Sequence, residues 1–232
     1  MPGPGGWQAA TVVDVRAETA KAKTFRLVLP TPSAHLAGQH YVVRLTAPDG
    51  YTASRSYSVA SAPDASNEIE LTVERLEDGE VSSFLHDVVV PGDTLEVRGP
   101  IGGWFVWRAD APALLIGGGS GVVPLMAMLR LARATGRLNL VRLVVSVRSA
   151  ADLYYAEEIQ GAETTIIYTR AAPPSWPRPI GRLVSDDLGP LDPDATAYVC
   201  GSPAFADAAT EILSRSGLPD TKIRVERFGP TQ

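Results

Sequence analysis

The sequence contains little cysteine and little histidine. Its 232 residues include one cysteine, Cys200, and three histidines, His35, His40 and His86. A single cysteine excludes an internal disulfide, and it excludes a four-cysteine iron–sulfur cluster or zinc site within this chain. With so few ligands of this kind, we expect no metal site.

Positive charge and long apolar runs are also scarce. The formal net charge is −5, whereas nucleic-acid-binding proteins usually carry a strongly basic face, so we expect no nucleic-acid partner. No stretch reaches the roughly eighteen apolar residues of a transmembrane helix, and residues 1–10 lack the basic and apolar segments of a signal peptide. We therefore expect a soluble, cytoplasmic protein without membrane contact.

Residues 11–108 contain six short runs of alternating or β-branched residues. These runs are TVVDVRAE, KTFRLVLP, HYVVRLTA, RSYSVAS, IELTVERL and DTLEVRGP. Segments rich in Gly, Pro, Asp and Asn separate them, which is typical of antiparallel strands joined by turns. Six such strands predict a small barrel or sandwich, and VSSFLHDVV is its one helix candidate.

From Ala111 onward, apolar runs alternate with helical stretches. The strand candidates are ALLIGGG, LVRLVVSV, TTIIYTR and TAYVCGS, and the helix candidates are VVPLMAMLRLARATG, ADLYYAEEI and PAFADAATEILSRSG. Such alternation predicts βαβ units and a parallel sheet covered on both faces. The segment AAPPSWPRPIG is expected to be a proline-rich surface loop or a mobile flap.

A glycine-rich turn stands between the first of these strands and the helix after it. The turn consists of Gly117, Gly118, Gly119, Ser120 and Gly121. Glycine lets the backbone approach a pyrophosphate closely, and a helix N-terminus offers free N–H groups and the positive end of its dipole. Val122 stands where the G-x-G-x-x-G pattern requires its third glycine. A tight turn that binds no ligand is the alternative interpretation.

A second turn follows the last strand candidate, at Cys200, Gly201 and Ser202. In open α/β sheets, ligands bind outside the carboxyl ends of the strands. Both turns are therefore predicted to face one crevice. Alternatively, Cys200 is an inert buried thiol, which is the commonest state of a free cysteine.

The run RSYSVAS closely resembles the flavin-binding strand of the ferredoxin–NADP⁺ reductase family, whose pattern is R-x-Y-S. Four further matches follow in the family's order, namely LTVERL, GEVS, GGGSGVVP and YVCGSP, with VERF near the C-terminus. The set covers nearly the whole chain and is far more specific than any one member. It implies an FAD-binding antiparallel β-barrel domain in residues 1–108 and an NAD(P)-binding α/β parallel-sheet domain in residues 109–232.

The resemblance assigns the flavin-binding strand to Arg55, Ser56, Tyr57 and Ser58. Arg55 would neutralise the FAD pyrophosphate, Tyr57 would lie against the isoalloxazine ring, and the Ser58 hydroxyl would reach the flavin N5 region. These residue types suit such roles, because Arg makes bidentate phosphate contacts and Tyr offers a flat face with a polar tip. An ordinary strand with an exposed arginine and a half-buried tyrosine is the alternative.

Two neighbouring segments complete the implied FAD site. Backbone N–H groups would hold the other side of the pyrophosphate at Gly79, Glu80, Val81 and Ser82. We expect Ser82 to be the N-cap of the helix that follows. Thr72, Val73 and Glu74 match the strand that backs the flavin, as contacts of second rank.

Near the C-terminus, VERF resembles the family's carboxylate followed two residues later by an aromatic residue. Glu226 would stand near the nicotinamide pocket, and Phe228 would cover the flavin face on which nicotinamide stacks. Here the chain departs from the plant-type pattern, since Phe replaces Tyr and four residues, GPTQ, follow it. A plain C-terminal edge strand is the alternative.

The choice between NADPH and NADH depends on a cation for the 2′-phosphate. Arg148 and Arg170 are the candidates, since each follows a predicted strand of the second domain. Thr169 and Arg170 match the Ser-Arg pair of the NADP-specific members, and no acidic residue directly follows either strand to bind a bare ribose diol. We expect NADPH as the favoured co-substrate, with NADH possible.

The implied activity is that of an NAD(P)H-dependent flavoprotein reductase. Hydride would pass from nicotinamide C4 to flavin N5, chiefly through orientation of the two rings, with Ser58, Cys200 and Glu226 lining their contact. Because the chain lacks cysteines for its own cluster, the electron acceptor would be a separate ferredoxin or a partner subunit. The alternatives are a reductase of free flavins or small oxidants, and a non-catalytic flavin-binding or regulatory subunit.

Overall fold

A computed structural model of the protein describes residues 6–32 and 34–229. The expectation for Phe228 depends in part on the four residues that follow it. Three of these, residues 230–232, lie outside the described residues. Within the described ranges, no helix combines the length and the hydrophobicity that crossing a membrane requires.

The six predicted antiparallel strands form one sheet, in the order β4-β3-β6-β1-β2-β5. Alternate side chains, such as Phe25 and Leu27, point to a buried core, while Arg26 between them is exposed. The predicted helix α1 lies between β5 and β6. The elements are β1 (Trp7–Thr19), β2 (Ala22–Val28), β3 (His40–Thr46), β4 (Thr52–Ser58), β5 (Glu68–Glu74), α1 (Glu80–Asp87) and β6 (Thr94–Ile101).

The second half forms the predicted parallel sheet, in the order β11-β10-β7-β8-β9. Its helices cover both faces, because Leu115 of β7 packs in one core with α2 while Ile116 packs in another with α4. The elements are β7 (Ala113–Gly118), α2 (Val122–Ala134), β8 (Val141–Val147), β9 (Thr164–Tyr168), α3 (Ser185–Leu188), β10 (Thr196–Gly201), α4 (Pro203–Arg215) and β11 (Ile223–Arg227).

The strand order of the parallel sheet fixes where a ligand can bind. From β7 the chain adds β8 and β9 on one side, and it then crosses to add β10 and β11 on the other. The order therefore reverses between β7 and β10, and open α/β sheets bind ligands in the crevice at such a point. The two predicted turns stand at the carboxyl ends of these two strands.

The helix predicted over ADLYYAEEI is wrong. The segment forms a short 3₁₀ turn at Ala150–Asp152 followed by irregular turns. Leu153, Tyr154 and Tyr155 are all buried, and the φ of 53° at Tyr155 is incompatible with a right-handed helix. The short helix α3 was not predicted.

The proline-rich segment AAPPSWPRPIG contains no helix or strand, as a loop should. Its Trp176 packs edge-on against Tyr168, with the ring centroids 4.9 Å apart. The end of β9 and this loop are therefore held together by an aromatic contact.

Candidate functional site

Strand β4 lies at the edge of the barrel sheet and carries the four residues of the R-x-Y-S pattern. Arg55 and Ser56 are exposed, Tyr57 is half-buried against the barrel core, and Ser58 is buried. Burial raises the pKa of Tyr57 well above its usual value, which keeps the phenol neutral. The Arg55 guanidinium donates to the Ser54 carbonyl at 2.7 Å and forms no salt bridge with any described residue. An exposed cation without a carboxylate partner suits a phosphate ligand.

Helix α1 begins three residues earlier than the Ser82 cap prediction requires. Gly79 is the N-cap, in extended conformation, and as a glycine it has no side chain with which to cap the helix. The prediction for Ser82 is therefore wrong. Its hydroxyl lies in the first turn, where it donates to the Gly79 carbonyl at 3.1 Å and accepts from the Leu76 N–H at 3.2 Å. Because a first helical turn has no intrahelical acceptors for its N–H groups, those of residues 80–82 are available to an anion.

Strand β5 contacts both β4 and α1. Thr72 and Val73 are buried and Glu74 is half-buried. The Thr72 hydroxyl lies 2.5 Å from the Tyr155 hydroxyl, and the Val73 carbonyl lies 2.9 Å from Nε2 of His86. The polar groups of Thr72 and Val73 are thus already engaged within the protein.

The glycine-rich turn passes from β7 through a 3₁₀ turn at Gly119–Gly121 into α2. A Cβ on Gly121 would lie 2.1 Å from the Cys200 carbonyl oxygen, and a Cβ on Gly118 would lie 2.6 Å from the Phe205 ring. Packing of the protein against itself therefore explains these two glycines. Gly119 differs, because its φ is 55° and its Cβ would meet no atom of the described residues within 4 Å, which leaves this side open to a ligand among those residues.

The second turn is in contact with the first, as predicted for two turns that face one crevice. A Cβ on Gly201 would lie 3.2 Å from the Gly118 carbonyl oxygen. Ser202 caps α4, since its hydroxyl accepts from the Phe205 N–H at 3.3 Å, and Pro203 occupies the first helical turn. Cys200 is fully buried, and this burial, together with the charge of Glu226, raises the pKa of its thiol.

The C-terminal strand β11 brings the predicted carboxylate to the same corner. Glu226 pairs with Cys200 in the register of β10 and β11. Burial raises the pKa of Glu226 to about 7. The Phe228 N–H donates to the Gly201 carbonyl at 2.8 Å, and the ring is partly buried against the core that includes Cys200. Strand β11 is at the sheet edge, as the alternative interpretation also expects.

The two arginines considered for a 2′-phosphate are neighbours at the carboxyl ends of β8 and β9. The Arg170 N–H donates to the Arg148 carbonyl at 3.0 Å, and the Thr169 hydroxyl donates to the Val147 carbonyl at 3.3 Å. Both arginines are exposed, and neither forms a salt bridge within the described part of the chain. By contrast, Arg178 in the same region is held by an ion pair with Asp187.

Sequence reasoning missed the residues that join the two halves. Arg130 of α2 donates to the Ala60 carbonyl at 3.0 Å and to Glu70 at 2.7 Å, and it pairs with Glu158. Tyr155 is likewise bonded to the barrel. The only signal in the sequence was an arginine inside the apolar stretch LMAMLRLA, since pairing partners far along the chain leave no local pattern.

Comparisons with known proteins agree with this geometry. Residues 9–106 match the model of the oxidoreductase FAD-binding domain, and residues 115–211 match that of the oxidoreductase NAD-binding domain. The reductase subunit of an aromatic O-demethylase from Amycolatopsis sp. is 32% identical over 235 residues, covering 95% of this chain and 69% of that protein.

Two further similarities are of comparable extent. The ferredoxin–NAD(P)⁺ reductase component of naphthalene 1,2-dioxygenase/salicylate 5-hydroxylase systems from Ralstonia sp. is 28% identical, covering 95% of this chain and 69% of that protein. The crystal structure of an Amycolatopsis cytochrome P450 reductase superposes with a TM-score of 0.80 at 28% identity, covering 97% of this chain and 70% of that one. The chain spans between 51% and 69% of the length of the first four curated relatives that it matches.

Proposed function

The chain belongs to the ferredoxin–NADP⁺ reductase superfamily, and from this premise we propose that it is a flavoprotein reductase that takes hydride from NAD(P)H and passes electrons to a separate redox protein. A ferredoxin or a partner subunit would be the acceptor. The observation that carries the proposal is the pair of anion-accepting positions, namely Arg55, which has no carboxylate partner among the described residues, beside the α1 N-terminus, and the open turn at Gly119. Named relatives that are reductase components of oxygenase systems support the choice of acceptor.

FAD, when bound, would supply the group that accepts the hydride and delivers electrons. The residues present fit it, since Arg55 and the N–H groups of residues 80–82 would hold its pyrophosphate, and Tyr57 presents a half-buried ring on the same strand. On the sheet side, the turn at Gly119 would let a nicotinamide dinucleotide approach the backbone. Glu226, with its pKa raised to about 7 by burial, would hold a proton near neutral pH beside Cys200.

NADPH is the co-substrate that we propose in preference to NADH. Arg148 and Arg170 support this choice, because both are exposed and free of carboxylate partners among the described residues, at adjacent strand ends. A guanidinium in that state can pair with a 2′-phosphate that NADH lacks. We further propose a domain boundary between residues 108 and 109, in the connection between β6 and β7, and a cytoplasmic location.

The identity of the flavin is the first test. The purified chain, denatured and chromatographed, is expected to release FAD, because the α1 N-terminus and Arg55 are suited to a pyrophosphate, which FMN lacks. Recovery of FMN alone would contradict the cofactor assignment.

The acceptor is the second test. Reduction of cytochrome c by NADPH is expected to depend on added ferredoxin, at a rate that saturates with ferredoxin concentration. Rapid turnover with free FMN or riboflavin and no response to ferredoxin would instead indicate a reductase of free flavins.

A further inference from the structure

The segment after β8 contains a tyrosine in an unusual backbone conformation. Tyr155 is buried, and its φ of 53° lies in the left-handed region, which residues other than glycine rarely adopt. A residue stays in such a conformation only where the surrounding structure determines it. The contacts of Tyr155 identify the residues that hold it in this conformation.

Tyr155 closes a ring of hydrogen bonds with three barrel residues. Its hydroxyl donates to Thr72 Oγ1 at 2.5 Å, and Thr72 Oγ1 lies 2.7 Å from Thr24 Oγ1. The Thr24 hydroxyl donates to Glu18 Oε1 at 2.7 Å, and Glu18 Oε2 accepts from the backbone N–H of Tyr155 at 3.2 Å. We call these four residues the interdomain ring: Glu18, Thr24, Thr72 and Tyr155.

The three hydroxyls donate in one direction, toward Glu18, which also accepts from the Tyr155 N–H. Because Thr24 uses its one proton on Glu18, it accepts from Thr72, which in turn accepts from Tyr155. The ring is also shielded from water, since Thr24 is 2% exposed, Thr72 5% and Tyr155 3%. A buried network with every hydroxyl engaged has a defined geometry and loses much when one member is removed.

Arg130 adds a second link at the same place. Its guanidinium lies over the Tyr155 ring, 5.1 Å from the centroid, while it donates to Glu70 of β5 and to the Ala60 carbonyl just after β4. Arg130 belongs to α2, which begins directly after the glycine-rich turn. Thr72 belongs to β5, which contacts β4 and α1, the elements of the proposed flavin site. The ring and Arg130 therefore connect the elements that would hold the two reactants.

We propose that Tyr155 is a positioning residue for hydride transfer, which acts by fixing the barrel against the parallel sheet through the interdomain ring. This inference rests on the proposed function. Hydride transfer requires that the nicotinamide and the flavin, which would be bound by separate halves of the chain, be held at close range. A displacement of about 1 Å can cost on the order of a hundredfold in rate. A ring of short buried bonds limits such displacement.

The test compares variants of the full chain that differ by one hydroxyl. Tyr155→Phe and Thr24→Val each break the ring, and Thr24→Ser keeps its hydroxyl and should restore wild-type behaviour. Tyr154→Phe is the matched control, because Tyr154 is the buried neighbour whose hydroxyl makes no hydrogen bond in the described ranges.

Two readouts separate positioning from mere packing. The first is amide hydrogen exchange without bound nucleotide, in which protection of the Tyr155 amide should fall by about tenfold in Tyr155→Phe and Thr24→Val. The second is the single-turnover rate of flavin reduction at saturating NADPH, which should fall by about tenfold in the same variants with the NADPH Kd little changed. The variant that combines Tyr155→Phe with Thr24→Val should lose less of the reduction rate than the product of the two single effects, because both substitutions break one network.

The outcomes decide between the possibilities. Lower melting temperatures with an unchanged reduction rate would show that the ring only stabilises the fold, which overturns the proposal. Unchanged exchange at Tyr155, or an equal loss in Tyr154→Phe, would overturn it as well. A wild-type chain that binds FAD but is reduced by neither nucleotide would instead contradict the proposed function.

Discussion

The two positions suited to phosphate groups are built in opposite ways. On the barrel, Arg55 is an exposed side chain at an edge strand, beside a helix start that no side chain caps. On the parallel sheet, the open Gly119 belongs to a turn in which Gly118 and Gly121 have no room for a Cβ. A side-chain site can therefore lose its ligand while keeping its fold, whereas a backbone site loses both together.

The largest expected effect concerns Gly121→Ala. The new Cβ would lie 2.1 Å from the Cys200 carbonyl oxygen, so the turns must separate, at a cost of roughly 3 kcal/mol or more in the free energy of unfolding. Urea unfolding of the chain without added nucleotide measures this. Gly119→Ala is the control, because its Cβ meets open space and only the φ of 55° is unfavourable, at about 1 kcal/mol. Equal losses at the two positions would contradict the comparison.

Glu226, on β11 of the parallel sheet, can be tested through the pH dependence of the free energy of unfolding. Burial raises its pKa from 4.5 to about 7, so the folded chain binds the proton more tightly than the unfolded chain does. The contribution of Glu226 to the free energy of unfolding should therefore be greatest below about pH 4.5. It should fall by up to roughly 3 kcal/mol as the pH rises through about 7. Unfolding free energies between about pH 5 and pH 8 should show this slope in the wild type and not in Glu226→Gln. A slope unchanged in Glu226→Gln would assign it to other groups.

Arg55→Ala tests the barrel side. Loss of a charged phosphate contact should weaken FAD binding by about tenfold to a hundredfold, since such a bond contributes about 1.5 to 3 kcal/mol. The unfolding free energy of the FAD-free chain should stay unchanged, because Arg55 forms no salt bridge with described residues. Arg26→Ala, which removes an arginine paired with Glu68 on the barrel, should leave FAD affinity alone. An unchanged dissociation constant for Arg55→Ala would refute the assignment.

The smallest effect is expected from Arg170→Ala. The KM for NADPH should rise by roughly tenfold, the low end for a charged contact because the side chain is exposed. The KM for NADH and the kcat should change little. Arg182→Ala is the control, as another exposed arginine without a salt bridge in the described residues. Equal losses with both nucleotides would mean that Arg170 serves the fold or the adenine site.

Most of the fold followed from local patterns, and each of two exceptions has a cause in the hydrogen bonds of the folded chain. The β4 strand and both turns could be predicted because alternation and glycine position are local signals. The false helix at residues 151–159 has helical residue types, yet Tyr155 is fixed by Glu18, 137 positions away. Ser82 was placed as a cap by residue type, whereas its hydroxyl is used by Leu76 and Gly79. A hydrogen bond to a distant residue overrode the local preference at Tyr155, whereas nearby backbone groups engaged the Ser82 hydroxyl.

The most direct test of the central claim is an anaerobic titration of the FAD-loaded chain with NADPH and, separately, with NADH, followed by visible absorbance. We expect the flavin absorbance to bleach completely at about one equivalent of nucleotide per FAD, and faster with NADPH than with NADH. A flavin that stays oxidised with both nucleotides would contradict the claim that this chain takes hydride from them.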